Sequence, residues 1–451
     1  MKERIRAIRY ISIVAIALGY VSTAPASSEP VARTEAWLAK SYDRIALPAS
    51  PNGVQGEVAA LKAIAAKRTP DDIARFQWWS VGGPAYRWNE IILDEMQEAF
   101  VTLPMAARHL ALFHIALDDA IAAARQQRKS GARADTSGID AAVKASVKSA
   151  TALSPSEHAA AAAAAGDVLG YLFPARAEQL SAKAEEAMQA RLLAGIEYPH
   201  EVAAGRAIGQ HVAALAIARG KSDGSDAKWT GAVPEGKGLW KGTNPIAAVA
   251  GAWKPWVLSH GAELRPSLPP DVESDKVKAD LNELKTYKRT PKSNHRATFW
   301  EVNGGARAHT LWNEIARTKL LEHRTAPQVA SRILVALNIA LSDAGIACWD
   351  AKYTFWYARP AMVDPEVKPL FATPNHPSYP SAHSCFSTAA ATVLARVFPQ
   401  DSSRLMAVGK EASEARIWAG IHYRFDIDVG EEIGRKVAER TLGRAFSPST
   451  N

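Results

Sequence analysis

Three cations in the C-terminal third of the chain have the types and spacing of an oxyanion site. Lys352 and Arg359 are seven residues apart, and Pro360 follows directly. On a helix this spacing is two turns, so we expect both side chains to point at one spot from the end of a helix that Pro360 stops. Arg416 adds a third positive charge. With the Ser381 hydroxyl and the N–H groups of the helix after it, these cations could hold a tetrahedral, multiply charged oxyanion.

Two histidines and one carboxylate accompany these cations. His422 lies six residues after Arg416, and Asp426 lies four residues after His422. A carboxylate at this spacing can hold an imidazole in one tautomer through its other nitrogen. His422 is therefore predicted to be a nucleophile or a ligand. His383, in Pro380-Ser381-Ala382-His383, is left as the acid/base.

The elements that must position these residues are predicted to be helical. Ala, Leu, Glu and Lys prevail, and apolar residues recur at intervals of three and four. Proline after Phe173 and after Phe398 should end helices there. Asp428 followed by Glu431 indicates a capping box that opens the last helix. The fold class is thus predicted to be all-α, with two helical bundles.

The two bundles are predicted to come from an internal duplication. Trp88-Asn89-Glu90-Ile91 recurs 224 residues later as Trp312-Asn313-Glu314-Ile315. Further along the offset becomes 225, as for Ala194-Gly195-Ile196 and Ala419-Gly420-Ile421. Because the spacing of rare residues is kept, we interpret residues 73–219 and 296–446 as two copies of one unit.

The first copy lacks the full set of chemical groups. It retains His158 and Arg191, but Glu197 stands where His422 stands in the second copy. Arg128 replaces Lys352, and Asp135 falls at the position of Arg359. An additional carboxylate repels an oxyanion. We therefore expect one site per chain, in the C-terminal bundle.

The remaining segments complete the predicted organisation. Residues 1–26 have a basic start, a short apolar run and Ala24-Pro25-Ala26, which is typical of a cleaved signal peptide. Residues 27–219 form the degenerate bundle and 296–451 the bundle with the site. Between them, residues 220–295 are rich in Gly, Pro and Trp and predict an irregular connection whose tryptophans pack on the bundles. The mature chain is expected to be periplasmic or secreted, without stable membrane insertion.

Composition excludes several classes of function. The net charge of +8 is spread along the chain, which argues against nucleic-acid binding. The two cysteines cannot build a disulfide framework. Cys348 and Cys385 lie within a few residues of the predicted site. Two buried free thiols are the favoured interpretation, and a disulfide between them is the alternative.

The three clusters resemble the signature of the type 2 phosphatidic acid phosphatase and vanadium-dependent haloperoxidase superfamily. That signature is K-x6-RP, PSGH and SR-x5-H-x3-D, and here it spans residues 352 to 426. This chain departs from it at Ala382, which replaces a glycine, and at Ala415, which replaces a serine. The haloperoxidase branch is the nearer match, because residues 422–426 read His-Tyr-Arg-Phe-Asp and Trp349 precedes Lys352 by three.

The resemblance implies the cofactor vanadate, bound covalently through His422. Its oxygens would be held by Lys352, Arg359, Arg416, Ser381 and the N–H of Ala382, and His383 would manage protons. The partners implied are hydrogen peroxide, a halide and an organic acceptor; self-association is left open. Trp349 and His376 would border the halide pocket, where the histidine favours bromide and iodide over chloride. The alternative is a periplasmic acid phosphatase in which His422 becomes a phosphohistidine.

Overall fold

The computed structural model describes residues 36–42, 45–48, 53–127 and 155–446, and within them it contains helices and no strand. The predicted signal peptide, Arg128 and Asp135 lie outside the described residues. The α-helices are α1 (Gly53–Ala65), α2 (Pro70–Ser80), α3 (Tyr86–Glu98), α4 (Met105–Gln126), α5 (Glu157–Leu172), α6 (Ala177–Leu193), α7 (Pro199–Lys221), α8 (Asp275–Thr286), α9 (Pro291–Trp300), α10 (Ala308–Glu322), α11 (Pro327–Phe355), α12 (Pro360–Val363), α13 (Ala382–Val397), α14 (Ser402–Trp418) and α15 (Arg424–Ala445). The all-α prediction is confirmed.

Short turns of other helix types connect these elements. Four 3₁₀ turns cover Pro174–Arg176, Ala250–Ala252, Gly261–Leu264 and Pro399–Asp401. A π-helical segment, Glu301–Ala306, joins α9 to α10. The predicted helix ends before the two prolines are confirmed, because α5 ends at Leu172 and α13 at Val397.

The long helix α11 is the centre of the molecule. Pro327 occupies its first turn, where a missing N–H costs nothing, and alanine and leucine follow in a nearly continuous apolar run. It packs against α4, α13 and α15. Its length and hydropathy would suit a membrane span, but 94% of that window is buried inside the protein. A helix that is apolar on all sides is buried in this way when it forms the core of a large domain.

The predicted connection is only partly irregular. Trp253 belongs to the main hydrophobic core together with residues of the helices, and Trp240 is buried, as expected for tryptophans that pack on the bundles. The expectation of irregular chain throughout 220–295 is wrong for Asp275–Thr286, which forms α8. Ser274 begins this helix by accepting a hydrogen bond from the Val277 N–H, a cap signal that the sequence analysis did not use.

Helix bounds agree between the two predicted copies. Helix α5 spans Glu157–Leu172 and α13 spans Ala382–Val397, an offset of 225 residues at both ends, and α6 and α14 agree likewise. The largest hydrophobic core includes residues of both predicted bundles, such as Leu117 and Leu337. The agreement supports the duplication, while the duplication and the boundaries of the bundles stay predictions.

Candidate active site

Lys352 organises the loop that leads into α13. It lies in the last turn of α11, which ends where Trp356 adopts a left-handed conformation, and its side chain is fully buried. Its Nζ donates to the carbonyl oxygens of Pro377 and Ser378, both at 2.9 Å, and to that of Pro380. Burial lowers the pKa of Lys352 to about 8, because the charged form loses its hydration. The ammonium group is therefore fixed at the start of α13.

Arg359 does not lie on the helix that carries Lys352. The prediction that Pro360 stops this helix is wrong, because α11 already ends at Phe355 and Pro360 begins the short helix α12. Arg359 follows an extended stretch that is paired with the connection segment. The Trp240 N–H donates to the Trp356 carbonyl at 2.6 Å and the Ala358 N–H to the Gly238 carbonyl at 2.9 Å.

The buried guanidinium of Arg359 has three partners. Its Nη1 donates to Nε2 of His422 at 2.9 Å and to the Ile421 carbonyl at 3.0 Å. Its Nε and Nη2 both donate to the carbonyl of His376, at 3.2 and 3.1 Å. Burial lowers the pKa of Arg359 to about 10, so the group is still a cation at neutral pH. The loop carrying His376 thus fixes the direction of the guanidinium.

Arg416 is the third buried cation and has unused donors. It lies near the end of α14, and its Nη2 donates to a carboxylate oxygen of Glu301 at 2.7 Å. Its Nε and Nη1 are buried and have no hydrogen-bond partner among the described residues. Burial lowers the pKa of Arg416, and the charge of Glu301 opposes that shift. Buried donors without partners are costly, which indicates that a ligand fills this position.

His422 is held in a single tautomer. Because a guanidinium can only donate, Nε2 of His422 must accept from Arg359, and the ring proton must be on Nδ1. Nδ1 donates to Asp426 at 2.7 Å, and the Ser378 hydroxyl donates to the same carboxylate oxygen at 2.6 Å. Burial and the charge of Arg359 hold the pKa of His422 well below its usual range. The neutral ring therefore keeps a lone pair on Nε2.

Asp426 also begins the last helix. Its carboxylate accepts the N–H of Tyr423, the residue before α15, at 3.3 Å. The predicted capping box at Asp428 and Glu431 is wrong, since the N-cap residue is Tyr423, five residues earlier, and Asp426 closes the box. Burial raises the pKa of the Asp426 carboxyl, and the hydrogen bond from Ser378 opposes this shift. One carboxylate therefore caps a helix and orients His422.

The start of α13 supplies donors and the second histidine. Ser381 is the N-cap residue, and its hydroxyl accepts from the Ser384 N–H at 3.4 Å. The first N–H groups of the helix, on Ala382 and His383, have no partner within the helix. His383 donates from Nε2 to the Trp300 carbonyl at 2.8 Å, which leaves a lone pair on Nδ1. Burial lowers the pKa of His383 well below its usual range.

Trp349 and His376 pack beside these groups. Their rings lie 5.5 Å apart between centroids, and both side chains are buried. The indole N–H of Trp349 donates to the Ile246 carbonyl at 3.1 Å, away from the cations. Nδ1 of His376 lies 3.1 Å from Nη2 of Arg359. Both residues predicted to border a halide pocket are therefore neighbours of each other, and His376 is a neighbour of Arg359.

Cys348 and Cys385 are buried free thiols. The Cys348 thiol lies 3.9 Å from the Pro380 carbonyl, which also accepts from Lys352. Cys385 donates its backbone N–H to the Ser381 carbonyl at 3.1 Å, within the first turn of α13. The favoured interpretation, two small residues packed behind the site, agrees with this structure.

The corresponding position in the first bundle is closed by an internal ion pair. Arg191, the counterpart of Arg416, lies 2.9 Å from a carboxylate oxygen of Glu197, the counterpart of His422. The side chain of Glu197 is largely buried, so it neutralises the arginine where an oxyanion would otherwise bind. His158 is half-buried, and desolvation together with the charge of Arg191 holds its pKa well below its usual range.

The structure brings all the predicted site residues of the second copy into one region and adds three groups that sequence analysis missed. Ser378 holds Asp426, the Trp300 carbonyl fixes His383, and Glu301 pairs with Arg416. Ser378 stood between His376 and Ser381 and could have been noticed as a polar residue within the cluster. Glu301 is 115 residues from Arg416, and no local spacing connects the two.

The donor set fits a multiply charged tetrahedral oxyanion such as vanadate or phosphate. Three buried cations face two carboxylates, Asp426 and Glu301, and Arg416 has unused donors. Helix N–H groups and a neutral imidazole nitrogen complete the set. Lys352, Arg359, Arg416, Ser381 and the Ala382 N–H would contact the oxyanion, and Nε2 of His422 would bind its central atom.

Comparison with known proteins gives one family match and the fold. Residues 332–438 match the model of the PAP2 superfamily. Three solved structures share the fold. The match to the first bacterial vanadium-dependent iodoperoxidase has a TM-score of 0.62 and covers 80% of this chain and 96% of that one, at 22% identity. Residues 332–438 are thus similar to the PAP2 superfamily, and the fold of the chain is similar to the helical fold of these solved structures.

Two other solved structures and two curated proteins complete the comparison. Holo and apo forms of a bacterial vanadium-dependent chloroperoxidase match with TM-scores of 0.57 at 15% identity, over 76% of this chain and 92% and 94% of theirs. Non-specific acid phosphatases of Salmonella typhi and Salmonella typhimurium are 37% and 35% identical over 57 residues. That stretch is 13% of this chain and only 23% of each phosphatase.

Proposed function

We propose that this protein is a vanadate-dependent haloperoxidase that oxidises a halide with hydrogen peroxide to hypohalous acid. The observation that carries the proposal is the set of three buried cations, Lys352, Arg359 and Arg416, whose charges all act on His422, with unused donors on Arg416. Support also comes from the extent of the haloperoxidase match, which covers 80% of the chain and therefore extends well beyond residues 296–451.

Each residue has a defined role in this proposal. The three cations attract and hold the oxyanion, and their burial strengthens the attraction because little water screens it. His422 offers the Nε2 lone pair, and Asp426 keeps the ring proton on Nδ1. Bound vanadate would supply a Lewis acid that activates hydrogen peroxide.

His383 is the group that manages protons. It is neutral and keeps its Nδ1 lone pair because Nε2 donates to the Trp300 carbonyl. The same contact fixes the orientation of the ring. The charge of Arg416 helps to lower the pKa of His383. A bound anion would offset this charge and would raise the pKa of His383 toward the range in which an acid/base group works.

The main test is dye bromination by the vanadate-loaded protein. Purified protein is incubated with vanadate, hydrogen peroxide and bromide, and bromination of a phenol-red type dye is followed by absorbance. We expect turnover that requires all three additions, and we expect none from His422→Ala. Wild-type protein that binds vanadate but oxidises neither bromide nor iodide would contradict the haloperoxidase proposal.

The proposed halide preference is bromide or iodide over chloride. It rests on His376, a polar and titratable group packed against Trp349 and next to Arg359. A second imidazole close to the oxyanion pocket would alter the protonation of bound peroxide and the position of the halide. Turnover is compared for the three halides in wild type and His376→Phe. Chloride turnover equal to bromide turnover in the wild type would overturn the preference.

A PAP2-type acid phosphatase is the second candidate. It is favoured by the match to Salmonella acid phosphatases. The same pocket would hold the phosphate group of a monoester while Nε2 of His422 attacks phosphorus and the ester alcohol leaves with a proton; water would then cleave the N–P bond and release phosphate. Phosphatase activity without vanadate, absent in His422→Ala, together with trapping of a phosphohistidine, would support this candidate. Dye bromination without such activity would exclude it.

We also propose that the chain is exported. The support is the sequence of residues 1–26, with its basic start, apolar run and Ala24-Pro25-Ala26. An organic acceptor for hypohalous acid would then be met outside the cytoplasm. N-terminal sequencing of the protein from a periplasmic or culture fraction should begin at Ser27. A start at Met1 in that fraction would contradict the cleavage.

A further inference from the structure

A short stretch of the connection segment contacts two elements that border the site, the loop that carries His376 and the end of α11. These two elements are called the first and second walls of the site. We call residues 243–247 the strap. Asn244 and Ala247 adopt positive φ angles, 49° and 52°, which are uncommon for residues other than glycine. Such conformations persist where surrounding contacts hold them. The contacts of the strap on its two sides provide this constraint.

The first wall is the loop that carries His376. The side-chain amide of Asn375 donates to the carbonyls of Thr243 and Asn244, at 2.7 and 2.8 Å. In return, the Ile246 N–H donates to the Asn375 carbonyl at 3.0 Å. Both donors of the amide are used, and the backbone just before His376 is tied to the strap.

The second wall is helix α11. The Ile246 carbonyl accepts from the indole N–H of Trp349 at 3.1 Å and from the Tyr353 hydroxyl at 2.6 Å. Both residues lie in the last two turns of α11, close to Lys352. The strap thus connects the end of this helix to the loop of His376.

The carbonyl next to this junction holds a cation of the site. The His376 carbonyl accepts two hydrogen bonds from Arg359, whose Nη1 donates to Nε2 of His422. We propose that Asn375 is a positioning residue, which anchors the His376 carbonyl to the strap and thereby fixes the guanidinium of Arg359 for oxyanion binding. The proposal deepens the proposed function and requires only that this pocket binds an oxyanion.

The exposed position of Asn375 makes the test clean. The residue is exposed, so its replacement removes no core packing. Affinity for orthovanadate and, separately, for inorganic phosphate is measured by calorimetry on the full chain of the wild type, Asn375→Ala and Asn375→Asp. Asp has nearly the shape of Asn but cannot donate to two carbonyls. We expect both variants to bind orthovanadate about tenfold more weakly than the wild type. A loss of this size is typical when a residue that hydrogen-bonds to a ligand-binding group is replaced.

Asn282→Ala is the matched control, because Asn282 is an exposed asparagine on α8, away from the strap. It should keep wild-type affinity, and all variants should keep the wild-type melting temperature to within a few degrees. Wild-type affinity in Asn375→Asp with loss in Asn375→Ala would mean that the residue only fills space, and would overturn the proposal. Wild-type affinity in both variants would also overturn it. Absence of oxyanion binding by the wild type would instead refute the proposed function.

Discussion

Nη1 of Arg359 lies 2.9 Å from Nε2 of His422, the atom with the lone pair. Arg359 thus contacts one ring nitrogen of His422, and Asp426 accepts from the other. The two contacts together fix the orientation of the ring. A ligand that binds to Nε2 must take the place of this contact. The guanidinium would then be beside the ligand and free to donate to its oxygens.

His422→Ala should weaken oxyanion binding strongly, because the variant lacks the imidazole nitrogen that bonds to the central atom. Ionic contacts from three cations would remain, but they are weaker than a bond from nitrogen to the central atom. We expect orthovanadate affinity to fall by at least about a hundredfold, which corresponds to about 2.7 kcal/mol. Calorimetric titration measures it. Unchanged affinity and full activity in this variant would show that His422 has been assigned the wrong role.

Glu301 should orient Arg416 through its acceptor oxygen. In Glu301→Ala the guanidinium loses its partner, and we expect orthovanadate affinity to fall about tenfold. Glu301→Gln keeps an acceptor and removes a negative charge near the oxyanion, so it should bind at least as tightly as the wild type. Titration of the two variants side by side gives the comparison. An equal loss of orthovanadate affinity in both variants would contradict this role. It would show that binding depends on the negative charge of Glu301 and not on an acceptor that orients Arg416.

The chain should bind one oxyanion. The ion pair of Arg191 with Glu197 fills the corresponding position of the first bundle, so a second anion would have to displace a buried carboxylate. Equilibrium dialysis with orthovanadate should saturate at one equivalent per chain. A second equivalent that survives His422→Ala would place another site elsewhere in the protein.

Oxyanion affinity should fall as the pH rises above about 8. The pKa of Lys352 is lowered to about 8 by burial, so below this pH the ammonium group is charged and attracts the anion. Above it, binding must take up a proton, and affinity should decrease by up to about tenfold per pH unit. Tungstate, which does not titrate in this range, is the suitable probe. Lys352→Arg stays charged and should show a flatter profile; the same decline in this variant would point to a different group.

Both cysteines should be free thiols that become reactive only when the protein is denatured. Cys348 and Cys385 are buried, so neither should react in the native state. After denaturation without reductant, a thiol reagent should count two thiols per chain. A count of zero, restored to two by reduction, would show that the pair forms a disulfide in the protein as isolated.

The sequence by itself determined the helical class and the chemical groups of the site. Helical spacing of apolar residues is a local property, so it predicted α-helices without knowledge of their packing. The three clusters around Lys352, Ser381 and His422 were visible because each is a short run with fixed internal spacing. Glu197 likewise predicted that the first bundle lacks a site, since a single substitution changes the charge there.

Tertiary structure decided how these groups are held. Local spacing placed Arg359 on the helix of Lys352, whereas pairing of residues 356–358 with the connection segment pulls it into an extended stretch. Glu301 and Asn375 were missed because their partners are distant in the sequence: Arg416 is 115 residues from Glu301, and Asn244 is 131 residues from Asn375. Hydrogen bonds between such distant residues form only after the helices pack, and no periodicity within one segment encodes them.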